Sequence, residues 1–298
     1  MALQRVVKPK TQRSKRALEN RAPKIHENDK NAMIIKGGQT SQVIIDVLKD
    51  IYALKKMNSV LYKKKNITRP FEDTSSVEFF SQRSDSSLLL FGSHSKKRPH
   101  NLVFGRFFDY HILDMAEFGV EKFKGMSEFK KEKCCLGTKP CLVFNGLEFS
   151  EDPQLLRIKN LFIDFFRGPV VKNITLQGLE HVLSFSYVNE KILLRSYKIM
   201  LKKSGQKTPR IELDEIGPSL DLSIRRTKLA SDDLFKKACK VPKAAKERKV
   251  KNKSQDVFGN VHGQIHMTPQ DMSKLQIRKR KALKNDEESP KRSKKSIV

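Results

Sequence analysis

Tryptophan is absent from the 298 residues, cysteine occurs only four times, and acidic residues are scarce beside basic ones, 33 against 61. Each shortage excludes something. Four cysteines, two of them adjacent (Cys134 and Cys135), make no disulfide framework, so the chain reads as resident in a reducing compartment. Long apolar runs are missing too. The most apolar region, residues 160–171, is interrupted by Asp164 and Arg167, short of the ~18 continuous apolar residues of a membrane helix. Residues 1–16 carry basic side chains with no apolar run behind them and no apolar stripe, which is expected of neither a secretory signal nor a mitochondrial presequence. The shortage of acid leaves a net charge of +28 and points to a polyanionic partner, nucleic acid ahead of an acidic membrane surface.

The charge is unevenly spread. Residues 1–30 carry a net +6 and residues 236–298 a net +13, leaving +9 for the middle of the chain. The ends therefore read as a basic N-terminal arm and an extended basic tail, the middle as an ordinary, mildly basic folded body. Within it, Ala32-Met33-Ile34-Ile35 predicts a short strand ending in Gly37-Gly38. Thr40 or Ser41 then caps a helix striped by Val43, Ile44, Val47, Leu48, Ile51 and Leu54. The pattern recurs: Cys141 to Gly146 reads as a strand, followed by a helix over 154–167 striped by Leu155, Ile158, Leu161, Phe162, Phe165 and Phe166. Two similar α/β halves, 31–135 and 136–235, are the expectation. Between the repeats lie strand candidates at 59–62, 88–91 and 102–108, a short helix capped by Thr74 or Ser75, and a mixed apolar stretch at 110–118. Strands follow at 181–187 and 192–201. Alternation at Ile211 and Leu213, then at Leu220, Leu222 and Ile224, predicts a β-hairpin turning at Gly217-Pro218. A short helix with Leu234, Phe235 and Ala238 closes the body.

Catalytic and metal-binding patterns fail on their spacing. Gly37-Gly38-Gln39-Thr40-Ser41 lacks the lysine of a phosphate loop, Cys134, Cys135 and Cys141 lack zinc-site spacing, and no nucleophile accompanies His94, His100 and His111. No catalytic residue, metal site or cofactor is assigned. Cations are the better candidates. Lys96, Lys97 and Arg98 sit between two strands, with Pro99 favouring an extended, outward arginine; they are either phosphate contacts or a solvated loop tip. Arg225 and Arg226 are expected to point to opposite faces of a strand, so only one need be exposed, and the other can pair with Asp221 or Asp214 inside the body. Few aromatics flank these cations, which disfavours stacking on single-stranded bases. In the tail, Lys279-Arg280 and, ten residues on, Lys291-Arg292 with Lys294 and Lys295 match bipartite nuclear-import spacing, and Ser289-Pro290 is a candidate phosphorylation site.

Three segments together resemble the Brix-domain family of ribosome-assembly factors: residues 36–41 with the helix that follows, Leu90 to Leu102 (LFGSHSKKRPHNL), and Glu212 to Leu222 around Gly217-Pro218. The tail segment 270–276, before a basic cluster, is similar as well. The resemblance implies an α/β fold, a Brix domain of two similar α/β halves. Each half would be like the anticodon-binding domain of a class II synthetase, with disordered basic tails outside. It also implies that the Gly217-Pro218 segment is a sigma-factor-like motif associated with nucleic-acid binding. The function implied is non-enzymatic: binding 5S ribosomal RNA and bringing the 5S ribonucleoprotein, with its two large-subunit proteins, to the pre-60S particle in the nucleolus. The implied protein partner is the regulator of ribosome synthesis, in a heterodimer. The expected RNA contacts are Lys36, Lys96, Lys97, Arg98, His100, Arg225, Arg226, Lys228, Lys274 and Arg278.

Overall fold

Ser41 accepts a hydrogen bond from the backbone of Ile44 and so starts helix α2 (Gln42–Leu54), whose buried stripe is Ile44, Val47, Leu48 and Ile51. The helix follows strand β1 (Ala32–Gly37), as its pattern predicts. In the computed structural model, residues 9–272 are described apart from 23, 26, 136, 172, 176, 177, 206, 207, 247–249, 259, 266 and 271. They form two units, divided at Arg248.

The first unit continues with β2 (Ser59–Asn66), α3 (Ser75–Ser84), β3 (Leu88–Ser93), β4 (Asn101–Phe108) and β5 (His111–Lys124). It then runs through β6 (Cys141–Asn145), α4 (Glu148–Glu151), α5 (Pro153–Phe166), β7 (His181–Val188), β8 (Lys191–Lys202), β9 (Arg210–Glu215), β10 (Ser219–Lys228) and α6 (Asp232–Ala238). The mixed stretch at 110–118 belongs to the long strand β5, and the basic run Lys63–Lys65 lies inside β2. Asp73, not Thr74 or Ser75, supplies the capping oxygen of α3, accepting from the backbone and hydroxyl of Ser75. The arm contains a helix that its composition did not announce, α1 (Gln12–Arg21). The second unit holds a small hairpin of β11 (Lys253–Gln255) and β12 (Val261–Gly263).

The ten strands of the first unit form one sheet in the order β2-β1-β3-β4-β5-β10-β8-β7-β6, with β9 also on β8. The repeat is visible in the pairing. β1 lies parallel to β3, then β4 and β5 follow antiparallel; β6 lies parallel to β7, then β8 and β10 follow antiparallel. The halves meet where β5 and β10 run antiparallel, Lys124 opposite Ser219 and Met115 opposite Lys228. Helices α2 and α5 cover one face with a shared core. In that core Phe104 and Phe118 of the first half interlock with Phe162, Phe165 and Phe185 of the second, with centroids 5.0–5.8 Å apart.

A buried ionic cluster adds to this seam. Arg106 of β4, 5% exposed, donates to Asp114 of β5 at 2.5 and 2.8 Å, and to Asn160 (2.6 Å) and Asp164 (2.7 Å) of α5. Phe235 of α6 lies against the guanidinium groups of Arg106 and Arg157, at 5.2 and 3.7 Å. Lys30 also reaches Asp164 at 2.9 Å. Burial alone would push the Asp164 carboxyl up, but Lys30 and Arg106 outweigh it and hold it below the ordinary carboxylate range.

The hairpin expected at Gly217-Pro218 does not form. β9 and β10 run end to end along β8, Glu215 opposite Tyr197 and Leu220 opposite Leu194, and the backbone of Ile216 donates to Ser196 between them. Alternation on both sides of a turn is common to a hairpin and to one strand broken by an offset, and here Leu213 and Leu222 have different neighbours. Gly217 carries the break with φ +73°, and a Cβ there would sit 2.5 Å from the Phe129 ring.

The described residues cover the other face of the sheet in only one half. Over the first half, α3 buries Val77 on Met33, Ile35, Leu89, Phe91 and Val103. The second half has no counterpart of β2 or α3 among the described residues. Its corresponding face shows Val143, Leu201, Leu213 and Ile211, the last two 52% and 63% exposed. Leu201 stands opposite Ile211, and Ile199 opposite Leu213.

Candidate nucleic-acid interface

Loop 94–100 joins β3 to β4, and each of its turns is tied down. The backbones of Ser95 and Arg98 exchange hydrogen bonds at 3.1 and 3.2 Å, closing a tight turn with Lys96 and Lys97 at its tip. The His94 backbone donates to Gln39 at 2.9 Å. The Ser41 hydroxyl, which caps α2, lies 2.8 Å from Nδ1 of His100. The His94 ring accepts from the His100 backbone at 3.2 Å, and the two rings lie 5.0 Å apart. Burial, with His94 and Arg225 nearby, lowers the His100 pKa and favours a neutral ring.

Beneath the loop sits Glu117 of β5, with a fully buried carboxylate. It accepts from Arg98 at 2.9 Å and from Arg226, whose guanidinium also lies 4.3 Å from the Phe71 ring centre. Two arginines on one buried carboxylate leave a surplus positive charge at the surface, and the pairing removes the cost of a lone buried anion. The expected opposite orientation of Arg225 and Arg226 is not found: a bulge between Ile224 and Arg226 puts both on the Glu117 face, and Arg225 donates to the carbonyl of Pro99 (2.8 Å) and to Asn101 (3.2 Å). Arg225 lies across Gly119, where a Cβ would come within 2.5 Å of the guanidinium.

The structure thus gathers Lys36, Lys96, Lys97, Arg98, His100, Arg225 and Arg226 around one loop, with Lys228 exposed two residues further along β10. Their roles divide. Arg98 does not simply point outward: its fork turns onto Glu117, which sequence reasoning missed because a glutamate inside a strand carries no motif. Arg226 pairs with Glu117 rather than with Asp221 or Asp214, whose partners are Arg195 and Lys131. Phe71 is an aromatic neighbour that sequence distance concealed. Lys96 and Lys97 are exposed, with no ionic or hydrogen-bonding partner among the described residues. Lys36, half-buried at the end of β1, stands opposite Lys65, which extends the positive surface onto edge strand β2. Lys274, Arg278, the import residues Lys279, Arg280, Lys291, Arg292, Lys294 and Lys295, and Ser289 lie outside the described residues.

Among the described residues, no group of three or more His, Cys, Asp or Glu side chains is arranged to hold a metal ion, and no helix is long and apolar enough to cross a membrane. Cys134 donates to the Glu180 carbonyl at 3.3 Å, and burial pushes its thiol up to about 11.

The Brix domain family model matches residues 37–226. A ribosome production factor 2 homolog from Mus musculus is 61% identical over 88% of this chain and 86% of its own length. One from Drosophila melanogaster is 47% identical over 98% and 91%, and one from Schizosaccharomyces pombe 43% over 95% and 92%. A crystal structure of a probable ribosomal biogenesis protein from Aeropyrum pernix K1 aligns over 68% of this chain and 99% of its own, with 10% identity and a TM-score of 0.44. With a family match over most of the folded body and relatives this similar along nearly the whole length, the chain belongs to the Brix-domain family of ribosome-assembly factors.

Proposed function

We propose that the chain is a non-enzymatic assembly factor of the large (60S) subunit that binds 5S ribosomal RNA and recruits the 5S ribonucleoprotein to the pre-60S particle in the nucleolus, supporting maturation of large-subunit ribosomal RNA. The observation that carries this is the pinned turn 95–98. Its two unpartnered lysines are held out by hydrogen bonds on both flanks, and a phosphate backbone meets them without prior ordering of the loop. Recognition of this kind reads backbone and shape rather than base edges. The double variant Lys96→Gln/Lys97→Gln is expected to weaken binding of labelled 5S RNA. It should also reduce the slope of log affinity against log salt by about 1.4–1.8, since each phosphate contact contributes about 0.7–0.9. An unchanged slope would exclude the loop. It would favour a protein-interaction scaffold whose charge serves import and solubility.

The uncovered face of the second half supports the second part of the reading, a heterodimer with the regulator of ribosome synthesis. In the first half a strand and a helix shield the equivalent apolar surface; here a partner protein supplies that cover. Ile211→Glu with Leu213→Glu is expected to abolish co-purification with that partner while leaving 5S RNA affinity within about twofold, both positions being exposed in the free chain. Retained co-purification would place the partner elsewhere.

A further inference from the structure

Helix α1 lacks most of what ordinarily holds a helix in place. It is ten residues long, where isolated helices are marginal in water, and none of its residues is buried. Leu18 is its only large apolar side chain and is 42% exposed. No acidic residue occupies its first turn, and Arg13 and Arg16, three residues apart, repel one another. What holds it is local capping, Thr11 and Ser14 exchanging bonds at 3.1 and 3.2 Å, and one distant tether from Arg21 to the carbonyl of Arg83 at 2.9 Å. With no core-facing stripe, every face of the helix is open to a partner.

At 100° per residue, Arg16, Asn20, Arg13 and Ala17 fall within an arc of about 100°, with Lys15 on the opposite side. That face presents two guanidinium groups, unpartnered among the described residues, beside an amide and a small side chain. Its position is equally informative. Arg83 lies near the end of α3, where Asp85 accepts from the Tyr110 hydroxyl at 2.9 Å, so the tether is at the β4–β5 turn. Loop 94–100 is at the other end of β4, whose eight residues span about 27 Å.

We propose that α1 is a second RNA-contacting element, its Arg13/Arg16 face seated against the phosphates of the same structured RNA whose other contact is the 94–100 loop. This rests on the RNA-binding reading above. Opposite charge selects a polyanion. The separation of the two cationic sites selects one that is long and stiff enough to touch both, a folded RNA rather than a nucleotide. Guanidinium forks pair with phosphate oxygens in a bidentate manner, and binding removes the repulsion between the two arginines.

The test uses the full-length chain and fluorescein-labelled 5S ribosomal RNA, followed by anisotropy across a salt series. Arg13→Gln/Arg16→Gln is expected to weaken binding roughly 30-fold near 0.15 M salt and to lower the salt slope by nearly 2. Lys15→Gln, a charge change on the opposite side, is expected to cost less than about twofold. Ala17→Pro keeps every charge but breaks the helix and is expected to weaken binding at least tenfold. Because α1 buries nothing, the urea midpoints of all three variants should match the parent. Wild-type affinity in Arg13→Gln/Arg16→Gln or in Ala17→Pro overturns the inference. So does equal loss in Lys15→Gln, which would make α1 a diffuse basic arm, or loss of the protein partner with RNA affinity intact. If the parent binds and Lys96→Gln/Lys97→Gln alone weakens it, only α1 is refuted. If the parent binds no RNA, the whole RNA reading falls.

Discussion

Arg106→Met is expected to lower the free energy of unfolding by about 3–5 kcal/mol, the usual cost of stranding a buried charge. Arg106 is the common partner of Asp114 and Asp164, and through them it joins β4 and β5 of the first half to α5 of the second. Without it the Asp114 carboxylate, 1% exposed, keeps the backbone of Ala230 at 2.8 Å and Arg157 at 3.9 Å, neither a full replacement for a two-pronged pair. Urea unfolding followed by far-ultraviolet circular dichroism measures the loss. Adding Asp114→Asn should recover part of it, because the neutral amide no longer needs a counter-charge. A loss below about 1 kcal/mol would show that water or Arg157 reaches Asp114 readily, and the seam would then rest on its phenylalanines.

The second large effect is on pH dependence. His181, at the start of β7 and 5% exposed, shares a hydrogen bond of 2.9 Å with Ser196, and burial lowers its pKa to about 4. The unfolded ring titrates near 6.5. Above that value the ring is neutral in both states and its contribution is constant. As pH falls, the unfolded chain takes up a proton that the folded chain refuses, and stability drops until the folded ring also titrates near 4. The expected loss is about 1.4 kcal/mol per pH unit over that window, about 3 kcal/mol in total. His181→Gln, which keeps a side chain able to bond Ser196, should flatten the dependence between pH 6.5 and 4. Parallel curves for parent and variant would mean that His181 is protonated in the folded state.

Periodicity carried most of the fold. The Val43–Leu54 and Leu155–Phe166 stripes are the buried faces of α2 and α5, and the strand–helix repeat is the pairing of the two halves. Partnership across the chain was harder to see. Glu117 meets Arg98 across the β4–β5 pairing, and meets Arg226 only because β10 returns beside β5. Likewise Leu213 and Leu222 share one alternating pattern but have different neighbours, because the register is set by β8 and β5. The candidate interface was legible as a run of cations. Which of them hold the loop and which stay open depends on a buried carboxylate that no spacing rule marks. The helix in the N-terminal arm escaped for the opposite reason: it has a cap but no apolar stripe, and the stripe is what periodicity detects.

The junction of β5 with β10 also sets an order of events during synthesis. Residues 32–124 supply β1 to β5 and can pair as soon as they leave the ribosome, yet β5 then ends the sheet with an open edge of backbone donors and acceptors. The strand that closes it begins at Ser219, which at ~5–20 residues per second emerges about 5–20 s later. For that interval the long central strand of the finished protein is an exposed edge, the feature most prone to pairing with a neighbouring chain. Polysomes place such nascent chains side by side, so the yield of folded protein should depend on how quickly the second half is delivered.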